Sequence, residues 1–305
     1  MKTISILLLS YAFMISCQAQ KQKLELNLEV GEIYSQNMTS NMTVTQTINS
    51  QQMNIDVTII GKTTYRVTNV EDTLYSIDVK YENLTMKMAM PNGVAEFSSE
   101  KADDNDIFST LLSMMKTKTF TVKMSKSGKI YEVKNIESLF SGLFEKFPQL
   151  TEIQKQQIQG QLMQAYGEKA FKGNLEMVTA IFSNSPVAKG DKWIIKTQLE
   201  SGMSAEMETT YELVDINDSH GIIVGNAVIR TADKDAYIES NGMPLKYDLQ
   251  GTMIDNITID LKTGWIVEAK LTQSIKGTAE VKDNPQMPGG MIIPMTISNK
   301  MTMTN

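Results

Sequence analysis

Residues 61–79, GKTTYRVTNVEDTLYSIDV, have an echo at residues 206–224, EMETTYELVDINDSHGIIV. Each carries a Thr-Thr-Tyr strand, an acidic turn and a second apolar strand, so Tyr65 is matched by Tyr211. Two more landmarks recur in the same order. VGEIY at 30–34 is matched by KGDKW at 189–193, each an acidic turn launching an aromatic-led strand, and SGKIYEVK at 127–134 by TGWIVEAK at 263–270. The offset falls from 159 residues to 146 to 136, so the second copy has shorter connections. Ordered self-similarity of this kind signals a repeated structural unit. The fold class expected is mainly β (α+β): a duplicated, curved antiparallel β-sheet with an inserted α-helical hairpin.

The strand reading rests on alternation of apolar and polar residues with period two. Segments 33–48 and 53–70 flank the turn NSQQ and read as one long hairpin. In residues 73–90, Tyr75, Ile77, Val79 and Tyr81 share a face, and the apolar phase then slips across Asn83 to Leu84, Met86, Met88 and Met90. A one-residue slip inside a strand is the mark of a β-bulge. Gly128 and Gly264 are expected to supply the positive φ of tight hairpins. Trp265, Val267, Ala269 and Leu271 read as core-facing, and the closing segment MTISNKMTMTN, with Pro294 nearby, reads as a final edge strand.

Helical periodicity interrupts this pattern in two places. Ile107, Phe108, Leu111, Leu112 and Met115 make a short stripe on a helix near 104–116. Asn135 is placed to cap a second helix whose stripe is Ile136, Leu139, Phe140, Leu143, Phe144 and Phe147, ended by Pro148. Thr151 and Gln154 then form a capping box for a third, running to about Phe171, with a weaker stripe of Ile158, Leu162 and Tyr166. The organisation expected is a signal peptide 1–16, a tether 17–27, a first β repeat 28–134, a helical hairpin 135–175, a second β repeat 176–281, and a Pro/Gly linker with the edge strand 282–305.

The first 23 residues, MKTISILLLSYAFMISCQAQKQK, join a basic start to an apolar run too short to span a bilayer. Cys17, the one cysteine of the chain, closes that run after Met14-Ile15-Ser16. This resembles the lipobox of bacterial lipoproteins, with Met14 where Leu is usual. The expectation is export to the periplasm or outer membrane, with a lipid on Cys17 as the anchor; cleavage after Ala19 instead would leave it secreted. A formal charge of −6 and the lack of a dense Lys/Arg run exclude nucleic acid as the expected partner.

Catalytic patterns are sparse. A histidine-based site would have to use His220, inside the turn INDSHG, and one His with one Cys rules out a His/Cys zinc centre. The acidic stretch KADDNDIF (101–108) lacks the glycine and closing glutamate of an EF-hand and reads as a helix start. Three thioethers in MKMAM suit Cu(I), yet alternating Met on a strand also describes a buried face. No cofactor and no enzyme activity are expected.

The signal, the Gly-Glu or Gly-Asp turn with its aromatic, and the G-x-I-x-E-x-K hairpin together resemble an uncharacterised family of exported β-rich Bacteroidota proteins of unknown function. In architecture alone the pattern is similar to half-barrels of the lipoprotein-carrier type, a likeness that implies a curved sheet, covered by helices, around a lipid-binding cavity. The function expected is therefore non-catalytic binding of a lipid or other hydrophobic ligand, lined by Phe140, Phe144, Phe147, Met86, Met88 and Met90. The alternative is a structural protein of the cell envelope that binds another protein through a sheet edge or the helical hairpin.

Overall fold

In the computed structural model the described residues are 21–101, 106–200, 204–240, 243–285 and 287–305. The expected signal peptide, Cys17 and the first residues of the tether lie outside them, as do residues 102–105 of the acidic stretch.

Among the described residues, thirteen strands join in one antiparallel sheet that does not close on itself. The first half contributes β1 (Ile33–Ile48), β2 (Gln51–Glu71), β3 (Leu74–Met90), β4 (Gly93–Ser98), β5 (Phe120–Ser125) and β6 (Ile130–Lys134). The second contributes β7 (Lys192–Glu200), β8 (Ser204–Ile216), β9 (His220–Thr231), β10 (Ile238–Ser240), β11 (Met243–Asp260) and β12 (Ile266–Val281), and β13 (Met291–Thr304) follows. The order is β6-β5-β3-β2-β1-β13-β12-β11-β9-β8-β7, with β4 on β3 and β10 on β11. Each half thus has the same five-strand path, and β13 joins them.

The duplication extends to single hydrogen bonds. Gly31 N–H donates to the Val67 carbonyl and Val67 N–H to that of Glu32; Gly190, Leu213 and Asp191 repeat both bonds. The register slips at Thr68 in β2 and at Val214 in β8, and again at Tyr131 and Val267 in the later hairpins, at the repeat's own offsets. Tyr34 stands opposite Tyr65 as Trp193 stands opposite Tyr211. Both tyrosines are buried against an indole: Tyr65 meets Trp265 at 5.2 Å and Tyr211 stacks on Trp193 at 6.0 Å.

Three sequence expectations need correction. The last strand is not an edge: β13 pairs with β1 on one side and β12 on the other. Pro294 is tolerated because the β1 ladder has ended at Met295, leaving no partner there for the missing N–H. Second, the bulge at Val267 leaves that residue half-exposed and turns Ile266 into the core beside Trp265, Ala269 and Leu271. Third, residues 21–27 are a docked strap. Leu24, Leu26 and Leu28 are buried, Leu26 N–H donates to the Lys126 carbonyl, and Asn27 N–H donates to that of Thr263. The strap therefore ties together the two equivalent hairpin turns. Its passage explains Gly264 (φ +70), where a Cβ would overlap the Glu25 carbonyl.

The helical insertion also departs from its expected outline. Its first arm is broken into a 3-10 turn, Ile136–Phe140, and a single turn α2 (Leu143–Lys146). Gly142 at φ +81 separates them, and Asn135 is itself left-handed and does not cap. The hairpin proper is α3 (Glu152–Tyr166), opened by the Thr151–Gln154 capping box, and α4 (Glu168–Thr179), which runs past residue 175. Before them, α1 (Ile107–Lys116) is capped by Asp106, whose carboxylate accepts from Phe108 and Ser109 N–H. The sheet's two terminal strands both lie against α4. Glu176 accepts the N–H of Ile130 at the β6 edge, 2.7 Å, and Gly173 lets the helix approach the β7 backbone at Gln198. An edge left open would be a template for another chain; α4 covers both. Among the described residues no helix is long and apolar enough to cross a membrane.

Candidate functional site

The bulge in β3 decides which side chains enter the concave face. Lys62 pairs with Asn83 but Thr63 with Tyr81, so Glu82 is the extra residue. Upstream of it, Tyr75, Ile77 and Val79 are buried on the inner face; downstream, the slip keeps Leu84, Met86, Met88 and Met90 on that same side. Without the extra residue the three methionines would point outward.

Register then assembles a surface. Met86 lies opposite Ile59 and Phe97, and Met88 opposite Val57 and Ala95. Val57 is opposite Met42, Val44 opposite Ile55, and Gln46 opposite Met53. Phe97 meets Phe108 of α1 at 5.1 Å along one border. On the other border Asn299 and Gln273 continue the Met42 row, and Ser40 Oγ donates to Asn299 Oδ1 at 2.8 Å. Met42, Met53, Ile55, Met86, Met88 and Met90 are only half-buried and stand outside the packed core. The same row in the second half, through Met253, Ala227 and Thr209, is fully buried. An apolar, flexible surface with a few polar groups at its margin is the usual composition of a site for a hydrophobic ligand.

The phenylalanines take a different place. Phe147 is buried at 1% exposure with Ile136, Leu139 and Leu143, while Phe140 and Phe144 pack half-buried against the core. They fasten the broken helical arm to β5 and α1. None of the six expected lining residues borders any of three clefts on the molecule: one near α4, one on β11–β13, and one between α3 and β10.

Asp255, which sequence reading passed over, sits on the inner face in the row of Met86. It has no exposure, and neither carboxylate oxygen has a hydrogen-bond partner among the described residues. Gly225 opposite it leaves room for the Tyr211 ring. Burial pushes the Asp255 carboxyl up to about 7. The alternation Met253, Asp255, Ile257, Ile259 held the signal, because it places an acid in an otherwise apolar phase. Burial also raises the hydroxyls of Tyr65, Tyr81 and Tyr211 well above the usual tyrosine range, which keeps them neutral. His220 is part of a turn: its Nδ1 pairs with Ser219 Oγ at 2.8 Å and its N–H donates to Asn217. Among the described residues no three His, Cys, Asp or Glu side chains gather closely enough to hold a metal.

No curated protein matches the chain in sequence. Among solved structures, one titled for lipid–protein interactions in lipovitellin aligns with 91% of this chain and 25% of its own, at 10% identity and a TM-score of 0.49. The chain thus spans about a quarter of that protein's length. The outer membrane protein OprG of Pseudomonas aeruginosa aligns over 91% of this chain and 98% of its own, at 7% identity and a TM-score of 0.26. An outer membrane channel of Pseudomonas putida F1 aligns over 90% and 97%, at 8% identity and a TM-score of 0.22. A family model described as a family of unknown function, DUF6263, matches residues 72–266, from the turn between β2 and β3 to the start of β12, and the chain belongs to that family.

Proposed function

We propose that this protein is a non-catalytic binder of a hydrophobic ligand, an acyl chain or lipid, held against the methionine-lined inner face. One observation carries the reading: Met42, Met53, Ile55, Met86, Met88 and Met90 form a continuous inward apolar surface that stays half-exposed while the continuation of its row in the second half, through Met253, Ala227 and Thr209, is packed shut. Covering roughly 200 Å² of such surface would contribute about 5 kcal/mol before ordering costs. Thioethers adapt to chains of varying shape, which suits a carrier better than a selective receptor.

The cell envelope is the proposed setting, with the lipid on Cys17 as the membrane attachment; the apolar run of residues 4–15 and the position of Cys17 support this. A docked strap beginning at Gln22 leaves only a few residues between Cys17 and the folded body, so the sheet would be held close to the bilayer. The competing interaction-protein reading loses one of its routes, because the methionine-rich last strand is consumed inside the sheet.

Native mass spectrometry of protein released by mild detergent tests the reading. Adducts in the mass range of single lipids are expected on the wild type and should be lost in Met88→Lys. A clean unliganded mass, together with no binding of a fluorescent fatty acid, would refute it.

A further inference from the structure

A cleft of about 930 Å³ opens where α4 meets β7, with β8 and β9 beyond. It lies apart from the methionine surface and is lined by charge. Lys129 comes from the β5–β6 turn, Lys169 and Lys172 from α4, Lys196 from β7, and Arg230, one of two arginines in the chain, from β9. Four carboxylates share the cleft, and one of them is neutralised by an ion pair. Glu176 accepts from the backbone of Ile130, and Glu208 pairs with Lys196 at 3.1 Å. Glu206 lies across the strand pair from Arg230 but makes no ion pair with it, and Glu200 accepts from Ser204 Oγ. Lys129, Lys169, Lys172 and Arg230 have no ion-pair partner among the described residues.

Four unpaired cations, drawn from three separate parts of the chain, thus converge on one concavity against three carboxylates, Glu176, Glu200 and Glu206, that have no ion-pair partner among the described residues. A concave wall focuses that excess positive potential. We propose that this cleft binds a small multivalent oxyanion bearing phosphate or carboxylate groups, gripped between α4 and β9. Arg230 offers the planar fork suited to two oxygens, and the lysines supply compact charge around it. A ligand spanning from helix to sheet would also fasten α4 over the seam between β6 and β7, so binding should raise thermal stability.

The test uses the full folded protein and inorganic pyrophosphate at constant ionic strength. Saturable binding by calorimetry is expected, with a rise in Tm. Replacing Lys169→Gln, Lys172→Gln and Arg230→Gln together should weaken binding by about tenfold or more while circular dichroism and acyl-probe binding stay unchanged. Sodium chloride of equal ionic strength giving the same shift, or the triple variant binding as the wild type does, would overturn the proposal. Co-sedimentation with phosphatidylglycerol vesicles locates the source. Capture that pyrophosphate displaces assigns the site to a lipid headgroup; pyrophosphate binding without capture assigns it to a free anion. Capture that pyrophosphate leaves untouched, with no calorimetric binding, also overturns it. The calorimetric and Tm readouts are independent of the methionine surface, and displacement by pyrophosphate separates headgroup capture from acyl binding there.

Discussion

Asp255 is a fully buried carboxyl with no hydrogen-bond donor among the described residues, enclosed beside Tyr211 and Gly225. Its linkage to folding has an unusual sign. The unfolded chain loses this proton at an ordinary carboxylate pKa, whereas the folded chain holds it to about 7. Below the ordinary pKa both states are neutral and stability is intact. Between roughly pH 4 and 7 the unfolded state alone ionises, so stability falls; above about 7 it levels off at the lower value. The full effect is on the order of 4 kcal/mol. Asp255→Asn should remove that slope and raise the urea midpoint at pH 8, with little change at pH 4. Equal pH profiles for the two proteins would contradict this. Carboxylates such as Asp191 and Asp215, which hydrogen bonds and lysines hold below their usual range, act in the opposite direction and only under more acid conditions. The acid was legible as a member of an inward phase; its isolation was not, because that depends on which strands stand beside β11.

Among elements, what repeats in sequence proved to be turns and the aromatic residues beside them. Gly31 and Gly190, Gly128 and Gly264, and Tyr65 and Tyr211 occupy equivalent places, and the β3 bulge was visible as a phase slip at Asn83. The second hairpin bulge was harder to see, since Ile266 and Val267 are both apolar and either phase fits. The strap was invisible for another reason. LELNL alternates like a strand but has no sheet partner in sequence, and its contacts lie about 100 and 235 residues away, at Lys126 and Thr263. Leu26→Ala should cost about 2–4 kcal/mol in urea denaturation. Gly264→Ala, strained at φ +70 and overlapping the strap carbonyl, should cost at least about 2 kcal/mol and open residues 21–28 to proteases. A Gly31→Ala variant has a positive φ but free space, so a smaller loss is expected. Equal losses at Gly31 and Gly264 would argue against strap docking as the cause.

For the whole molecule, two copies of a five-strand path meet at β13, and α4 covers both outer edges. Duplication of the sheet was readable from the ordered landmarks. The shared central strand was not, because nothing in MTISNKMTMTN distinguishes an edge from a centre until both neighbours are known. The candidate site was half legible: Met86, Met88 and Met90 share the inner face, while the phenylalanines serve packing. Asymmetry between the halves, open at Met42–Met90 and shut at Met253 and Met207, is the central claim. Methionine methyl NMR with a spin-labelled fatty acid tests it most directly. Selective broadening of Met42, Met53, Met86, Met88 and Met90, with Met207 and Met253 unaffected, is expected. Broadening of no methionine, or of buried and half-exposed methionines alike, would contradict it.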